Sequence, residues 1–134
     1  LANWNIEKNL GKTFDSSTGF ILPNKAIRSP DAAWISKQRF NKIPIEERKK
    51  FPNICPDFII ELMSPSDSFI SLNEKMHEWI ENGCLLAWLV SPGDEKVYIY
   101  RKGGSKDELT GFNKTVLGES ILQGFELQLS LLRV

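Results

Sequence analysis

The stretch Pro56-Asp57-Phe58-Ile59-Ile60-Glu61-Leu62-Met63 decides how the rest of the chain is read. Two-residue alternation sets Asp57, Ile59, Glu61 and Met63 on one face and Phe58, Ile60 and Leu62 on the other. Both faces are mostly apolar, which predicts a central strand over residues 57–63, covered on both sides. A carboxylate in the middle of such a strand is costly unless it is paired or bound to a cation. Glu61 is therefore the first candidate for function. The competing reading is structural: a buried salt bridge to a Lys or Arg. Asp57 shares the Glu61 face but lies about 13 Å away along an extended strand, too far to share one ion, so a role in opening the strand is expected of it.

Downstream, Ser64-Pro65-Ser66-Asp67 breaks the strand and offers a helix N-cap. A helix is predicted over residues 69–82, stopped by Gly83. Its apolar stripe is Leu72, Met76, Trp79 and Ile80, at helical spacing. Lys75 borders that stripe. Most lysines at such an edge extend to water, but this helix follows the Glu61 strand directly and must pack on the sheet, so Lys75 can reach back toward Glu61. Glu74, Glu78 and His77 are expected on the solvated side. Residues 85–90 are continuously apolar, as in a buried strand. Ser91-Pro92-Gly93-Asp94 is a turn, and residues 96–101 alternate like a half-exposed strand. Strands are also expected at residues 114–117 and 125–131, the latter with Phe125, Leu127, Leu129 and Leu131 on one face.

Upstream, Trp4, Glu7 and Leu10 suggest the last turns of a helix stopped by Gly11, with earlier helical sequence missing. Residues 13–22 are β-prone and end in a Pro23-Asn24 turn. Residues 27–36 read as a second strand, interrupted by Pro30. Asp31 stands where that turn passes into the strand. An Asx-turn or cap is the commonest use of Asp after Pro, and a ligand reading for Asp31 depends on Glu61 in a following strand. Residues 37–51 are basic, with a short helix near Pro44, Glu46 and Glu47. Altogether the order predicts an α/β fold in one domain, residues 1–134, with a mixed sheet flanked by few helices.

Lys plus Arg and Asp plus Glu both number 17, which argues against a protein that holds nucleic acid by bulk charge but not against one that meets phosphates at a local cleft. The only basic concentration is Lys37, Arg39, Lys42, Arg48, Lys49 and Lys50, read as a solvated loop balanced by Glu46 and Glu47, with phosphate contact as the alternative. No window suits a membrane span or a secretory signal. Cys55 and Cys84 fit neither a zinc motif nor a disulfide framework, and buried thiols in a reducing cytoplasm are expected. Trp4, Trp34, Trp79 and Trp88 have apolar neighbours and read as core or dimer-interface residues.

Three segments carry a resemblance: Asp15-Ser16-Ser17-Thr18-Gly19-Phe20 with Leu22-Pro23, then residues 28–36 around Pro30-Asp31, then residues 56–68. The helix from Lys75 to Gly83, Trp88-Leu89-Val90-Ser91-Pro92 and Val97-Tyr98-Ile99-Tyr100-Arg101 continue it. Together they resemble the Uma-two family of bacterial endonucleases, a branch of the PD-(D/E)xK superfamily. The resemblance implies a restriction-endonuclease-like fold in which Asp31 is the Asp of the Pro-Asp motif and Glu61 the acidic residue of the (D/E)xK strand. The strand lysine of that pattern is replaced by Met63, and Lys75 looks like its migrated substitute.

Phosphodiester hydrolysis needs a nucleophilic water at neutral pH and relief of charge at the scissile phosphate. A hard cation such as Mg²⁺ or Mn²⁺ supplies both through oxygen ligands. Asp31, Glu61 and the Leu62 carbonyl would hold it, and Lys75 would orient the water or stabilise transition-state charge. The resemblance implies a metal-dependent endonuclease, acting on DNA and working as a homodimer. The alternatives are a catalytically inactive dimer of the same fold, serving as a nucleic-acid-binding or protein-interaction module, and a structural domain with a buried Glu61–Lys75 pair.

Overall fold

The chain runs from a short helix α1 (Ala2–Lys8) through β1 (Gly11–Asp15), β2 (Phe20–Ile21), β3 (Ile27–Arg28) and β4 (Ala32–Ser36) to two short helices, α2 (Lys37–Asn41) and α3 (Ile45–Arg48). Then follow β5 (Phe58–Leu62), α4 (Phe69–Glu81), β6 (Leu86–Ser91), β7 (Lys96–Arg101), β8 (Lys106–Thr110), β9 (Thr115–Leu117), β10 (Glu126–Gln128) and a 3₁₀ turn at Leu129–Leu132. The structure, a computed structural model, describes residues 1–48 and 51–133.

Six strands form the main sheet in the order β1-β4-β5-β6-β7-β8. The β5–β6 pair is parallel, joined by the crossover helix α4, and the other neighbours are antiparallel. A parallel pair needs such a crossover, and its strands are covered on both faces. Every residue of β6 is accordingly buried.

Alternation along β5 divides two cores. Phe58 joins Trp4, Trp34, Trp88, Val97, Ile99, Phe112 and Phe125 on one face. Ile59 joins Phe20, Leu22, Ala33, Ile35, Met76, Trp79 and Leu89 on the other, beneath α4. Glu61, two residues beyond Ile59, lies on this second face. Met76 and Trp79 are the buried residues of α4, and Leu72 and Ile80 pack partly buried beside them, as the predicted stripe requires.

Several local expectations change. Helix α1 ends at Asn9, which takes the left-handed conformation (φ 52°) and donates its N–H to the Asn5 carbonyl. Asparagine tolerates that conformation, so Gly11 is not the stop. Instead Gly11 opens β1, where a Cβ would collide with the Ile35 carbonyl and the Trp34 ring. Residues 27–36 are two strands: β3 pairs with β2 in a separate hairpin, and β4 pairs with β1 and β5. Helix α2 and strand β8 were not anticipated. Residues 125–131 do not stay extended, and Leu131 is 75% exposed while Leu129 is buried. All four tryptophans are core residues, which removes them as a dimer surface. Cys55 and Cys84 are free and buried, and burial pushes the Cys84 thiol up. Among the described residues, no helix is long and apolar enough to cross a membrane.

Candidate functional site

The β4–β5 register explains where the site opens. Trp34 faces Phe58 and Ala32 faces Ile60. One step further, Leu62 would face Pro30, which has no N–H to offer the Leu62 carbonyl. The ladder therefore stops. Asp31 takes over the pairing with its side chain: the Leu62 N–H donates to Asp31 Oδ2 at 2.7 Å. In return the Asp31 N–H donates to Glu61 Oε1 at 3.2 Å. The two acidic residues are thus interlocked at the end of two adjacent strands, Asp31 at the exposed rim and Glu61 only 4% exposed.

Lys75 completes the group. Its Nζ lies 2.6 Å from Glu61 Oε2. The contact is a close ion pair on the buried Oε2. Burial pushes the Glu61 carboxyl above its ordinary value of 4.5, the Asp31 charge adds to the rise, and Lys75 pulls it part of the way back.

Helix α4 aims Lys75 because it is fixed at its start and on both flanks. Ser68 caps it by accepting the Ser71 N–H. Asp67 accepts from the Ser64 N–H and hydroxyl at 2.8 and 2.9 Å, closing the loop that leads in from β5. On one flank the Tyr100 hydroxyl donates to Asn73 Oδ1 at 2.7 Å. On the other, Glu78 accepts from Arg28 at 2.6 and 3.3 Å. Glu78 is therefore not a merely solvated residue, as its place on the helix had suggested. His77 is exposed, its ring edge-on to Tyr100.

Asp57 stands apart from this group. Its carboxylate is buried, accepts the Ser36 N–H at 2.7 Å and pairs with Arg39 at 2.8 Å. It joins the start of β5 to the β4–α2 junction, the strand-opening role expected of it. Arg39 is consequently committed to structure. Arg48 is also committed, donating to the Ile43 and Asn41 carbonyls. Lys49 and Lys50, of the same basic run, lie outside the described residues. Met63 follows the strand, with its backbone N–H on the Val90 carbonyl.

Among the described residues, no third Asp, Glu, His or Cys joins Asp31 and Glu61. Two carboxylates with the Leu62 carbonyl, which lies beyond the last β4–β5 pair, still suit Mg²⁺, which is commonly held by one or two carboxylates and completes its shell with water and substrate phosphate. The donor set is all oxygen, and Glu61 Oε2, already paired with the Lys75 ammonium, is the buried anionic oxygen that a cation would share.

Sequence comparison matches residues 1–130 to the family model Uma2, described as "Putative restriction endonuclease". Among solved structures the chain is similar to one described as "a putative nuclease belonging to DUF820" from Anabaena variabilis, with 20% identity and a TM-score of 0.78. The match covers 97% of this chain and 72% of that one, and at this identity it shows a shared fold. No curated protein matches the sequence.

Proposed function

The chain belongs to the Uma2 putative restriction endonuclease family, and on that premise we propose that it is a metal-dependent endonuclease that hydrolyses phosphodiester bonds in DNA, using a PD-(D/E)xK-type site in one domain. The observation that carries the reading is the interlock of Asp31 with Glu61 where the β4–β5 ladder ends, with Lys75 on the buried carboxylate. Asp31, Glu61 and the Leu62 carbonyl would hold Mg²⁺ or Mn²⁺. When bound, the cation supplies charge neutralisation at the phosphate and a water of lowered pKa.

The residues of the chain do the positioning. Asp31, just before β4, and Glu61, on β5, are tied together by two hydrogen bonds, so their placement is fixed before substrate arrives, and little reorganisation is needed. Lys75, a third exposed, has one side toward Glu61 and the other toward solvent. There its ammonium can hold the attacking water or meet the charge that grows on the phosphate oxygens. Burial raises the Glu61 carboxyl above its ordinary value, and a cation beside it would oppose that rise by favouring the carboxylate. Free buried thiols suit a reducing compartment, and the reading places the enzyme in the cytoplasm. We also assign it a dimeric working state, since two sites are needed to cut two strands together. A monomeric sedimentation profile at working concentration would refute that part alone.

The test of the site is calorimetric titration of wild type, Asp31→Ala and Glu61→Ala with Mn²⁺, followed by cleavage of plasmid DNA. Binding and cleavage that are lost in both folded variants support the assignment. A folded wild type that takes up no cation favours a catalytically inactive relative with the same fold.

A further inference from the structure

Beside Lys75 an open cleft of about 400 Å³ runs between the β2–β3 hairpin and α4, lined by Arg28, Ser71, Glu74, Lys75 and Glu78. Arg28 is three residues before Asp31 in sequence, and Glu78 is one helical turn after Lys75. The Arg28 side chain is 38% exposed and is held across this cleft by Glu78. Its Nε and one Nη2 hydrogen go to the two Glu78 oxygens, and one Nη1 hydrogen goes to the Ile27 carbonyl. A guanidinium has five N–H donors; three are used, which leaves two, one on each terminal nitrogen. With Glu78 on the side-on edge, these two remaining donors on the terminal nitrogens can meet a phosphate.

We infer that Arg28 is a substrate-positioning residue that binds a nucleic-acid backbone phosphate next to the scissile one, with Glu78 as the bracket that orients its free edge into the cleft. The inference rests on the nuclease reading above and extends it to a residue that the metal site does not use. Two features favour this over a plain strut. A strut needs no exposed edge, and a carboxylate that occupies one side of the guanidinium fixes its plane, so less rotamer freedom is lost when phosphate binds the other side. Lys75 on the same cleft marks the direction of the scissile bond, so a strand lying in the cleft would place consecutive phosphates near Lys75 and Arg28.

Fluorescence anisotropy of a labelled mixed-sequence DNA duplex, titrated in Ca²⁺ over a range of salt, separates the possibilities. The proteins are wild type, Arg28→Ala, Arg28→Lys and Glu78→Gln, each checked for folding by circular dichroism. Loss of one phosphate contact should weaken binding of Arg28→Ala by roughly 10-fold and reduce the salt slope by about one. Arg28→Lys should keep the slope and recover part of the affinity. Glu78→Gln removes the ion pair but keeps an amide oxygen to hold Arg28 and leaves the cation, so binding should weaken by much less than in Arg28→Ala. If Arg28→Ala and Glu78→Gln weaken binding alike, Arg28 is a strut and the inference is overturned. If Arg28→Ala binds as wild type does, with the same slope, the inference fails while the nuclease reading stands. A wild type that binds neither duplex nor single strand overturns both.

Discussion

Lys75→Met tests the electrostatic account of the site, because Lys75 is the one cation in contact with Glu61 among the described residues. Breaking a buried ion pair by removing one partner costs about 3–5 kcal/mol. The Glu61 side chain is 5% exposed but Lys75 is 33% exposed, so solvent screens part of the attraction and a loss of about 2 kcal/mol is expected near neutral pH. For 134 residues that lowers Tm by roughly 5–10 °C. The loss depends on pH in a definite direction. Glu61 already titrates above 4.5 in the folded chain, chiefly through burial, and Lys75 opposes that rise. Without Lys75 the folded carboxyl holds its proton to still higher pH than the unfolded one does. The unfolded state then binds fewer protons, and stability falls as pH rises through the window above 4.5. Below that window Glu61 is neutral in both states and the variant should nearly match wild type. Urea unfolding followed by tryptophan fluorescence, at a series of pH values, reads this directly. Because a divalent cation between Asp31 and Glu61 would restore the missing positive charge, Mn²⁺ should stabilise the variant more than wild type. Equal urea midpoints for the two proteins at every pH would refute the reasoning, since Glu61 would then owe nothing to Lys75.

Asp31→Asn should keep the fold, since the amide oxygen can still accept the Leu62 N–H, while DNA cleavage falls by more than about 100-fold, the upper end of the cost of an outer-sphere change; plasmid nicking measures it. Mn²⁺ affinity of wild type, measured by calorimetry, should rise with pH above 4.5 and then level off, because the cation must displace the proton that burial favours on Glu61. A flat profile across that window would show that Glu61 is not a ligand. Asp57→Ala should destabilise the fold by about 2 kcal/mol, through the orphaned Ser36 N–H and the partly exposed Arg39, yet leave Mn²⁺ affinity unchanged in the folded fraction.

The sequence carried most of the scaffold because the central elements are patterned by burial. The two-faced apolar alternation of residues 57–63 and the continuous run before Pro92 could only be interior strands, and the stripe of α4 fixed its packing face. What stayed hidden has a different physical origin. Strand β8, Lys106–Thr110, is an edge with a single partly buried residue, Leu109; charge there guards against unwanted pairing and erases the apolar signal. Helix α2 is one short turn with no buried residue. The break between β3 and β4 needed the knowledge that β2–β3 is a separate hairpin, which no local pattern states.

At the site itself, the residues and the Lys75–Glu61 pair were legible, and the Arg28–Glu78 pair was not. A mid-strand Glu and a Pro-Asp turn are visible in any reading of the residues, and Lys75 is visible as a charge at the edge of an apolar stripe. That Glu78 holds Arg28 is a contact across 50 residues, and it has no periodicity to betray it. One local residue does mark the end of the ladder: Pro30. A proline opposite the last residue of a central strand ends the ladder by withholding one N–H. The next residue, Asp31, then meets the strand end with a carboxylate where a carbonyl would ordinarily be. The same step that terminates the sheet leaves the Leu62 carbonyl unpaired by backbone and sets Asp31 against the Glu61 side chain. The end of the β4–β5 ladder and the Asp31–Glu61 interlock therefore have a single cause. Moving Pro30 by one residue would shift which β5 atoms are released, and with them the face on which an ion could be held.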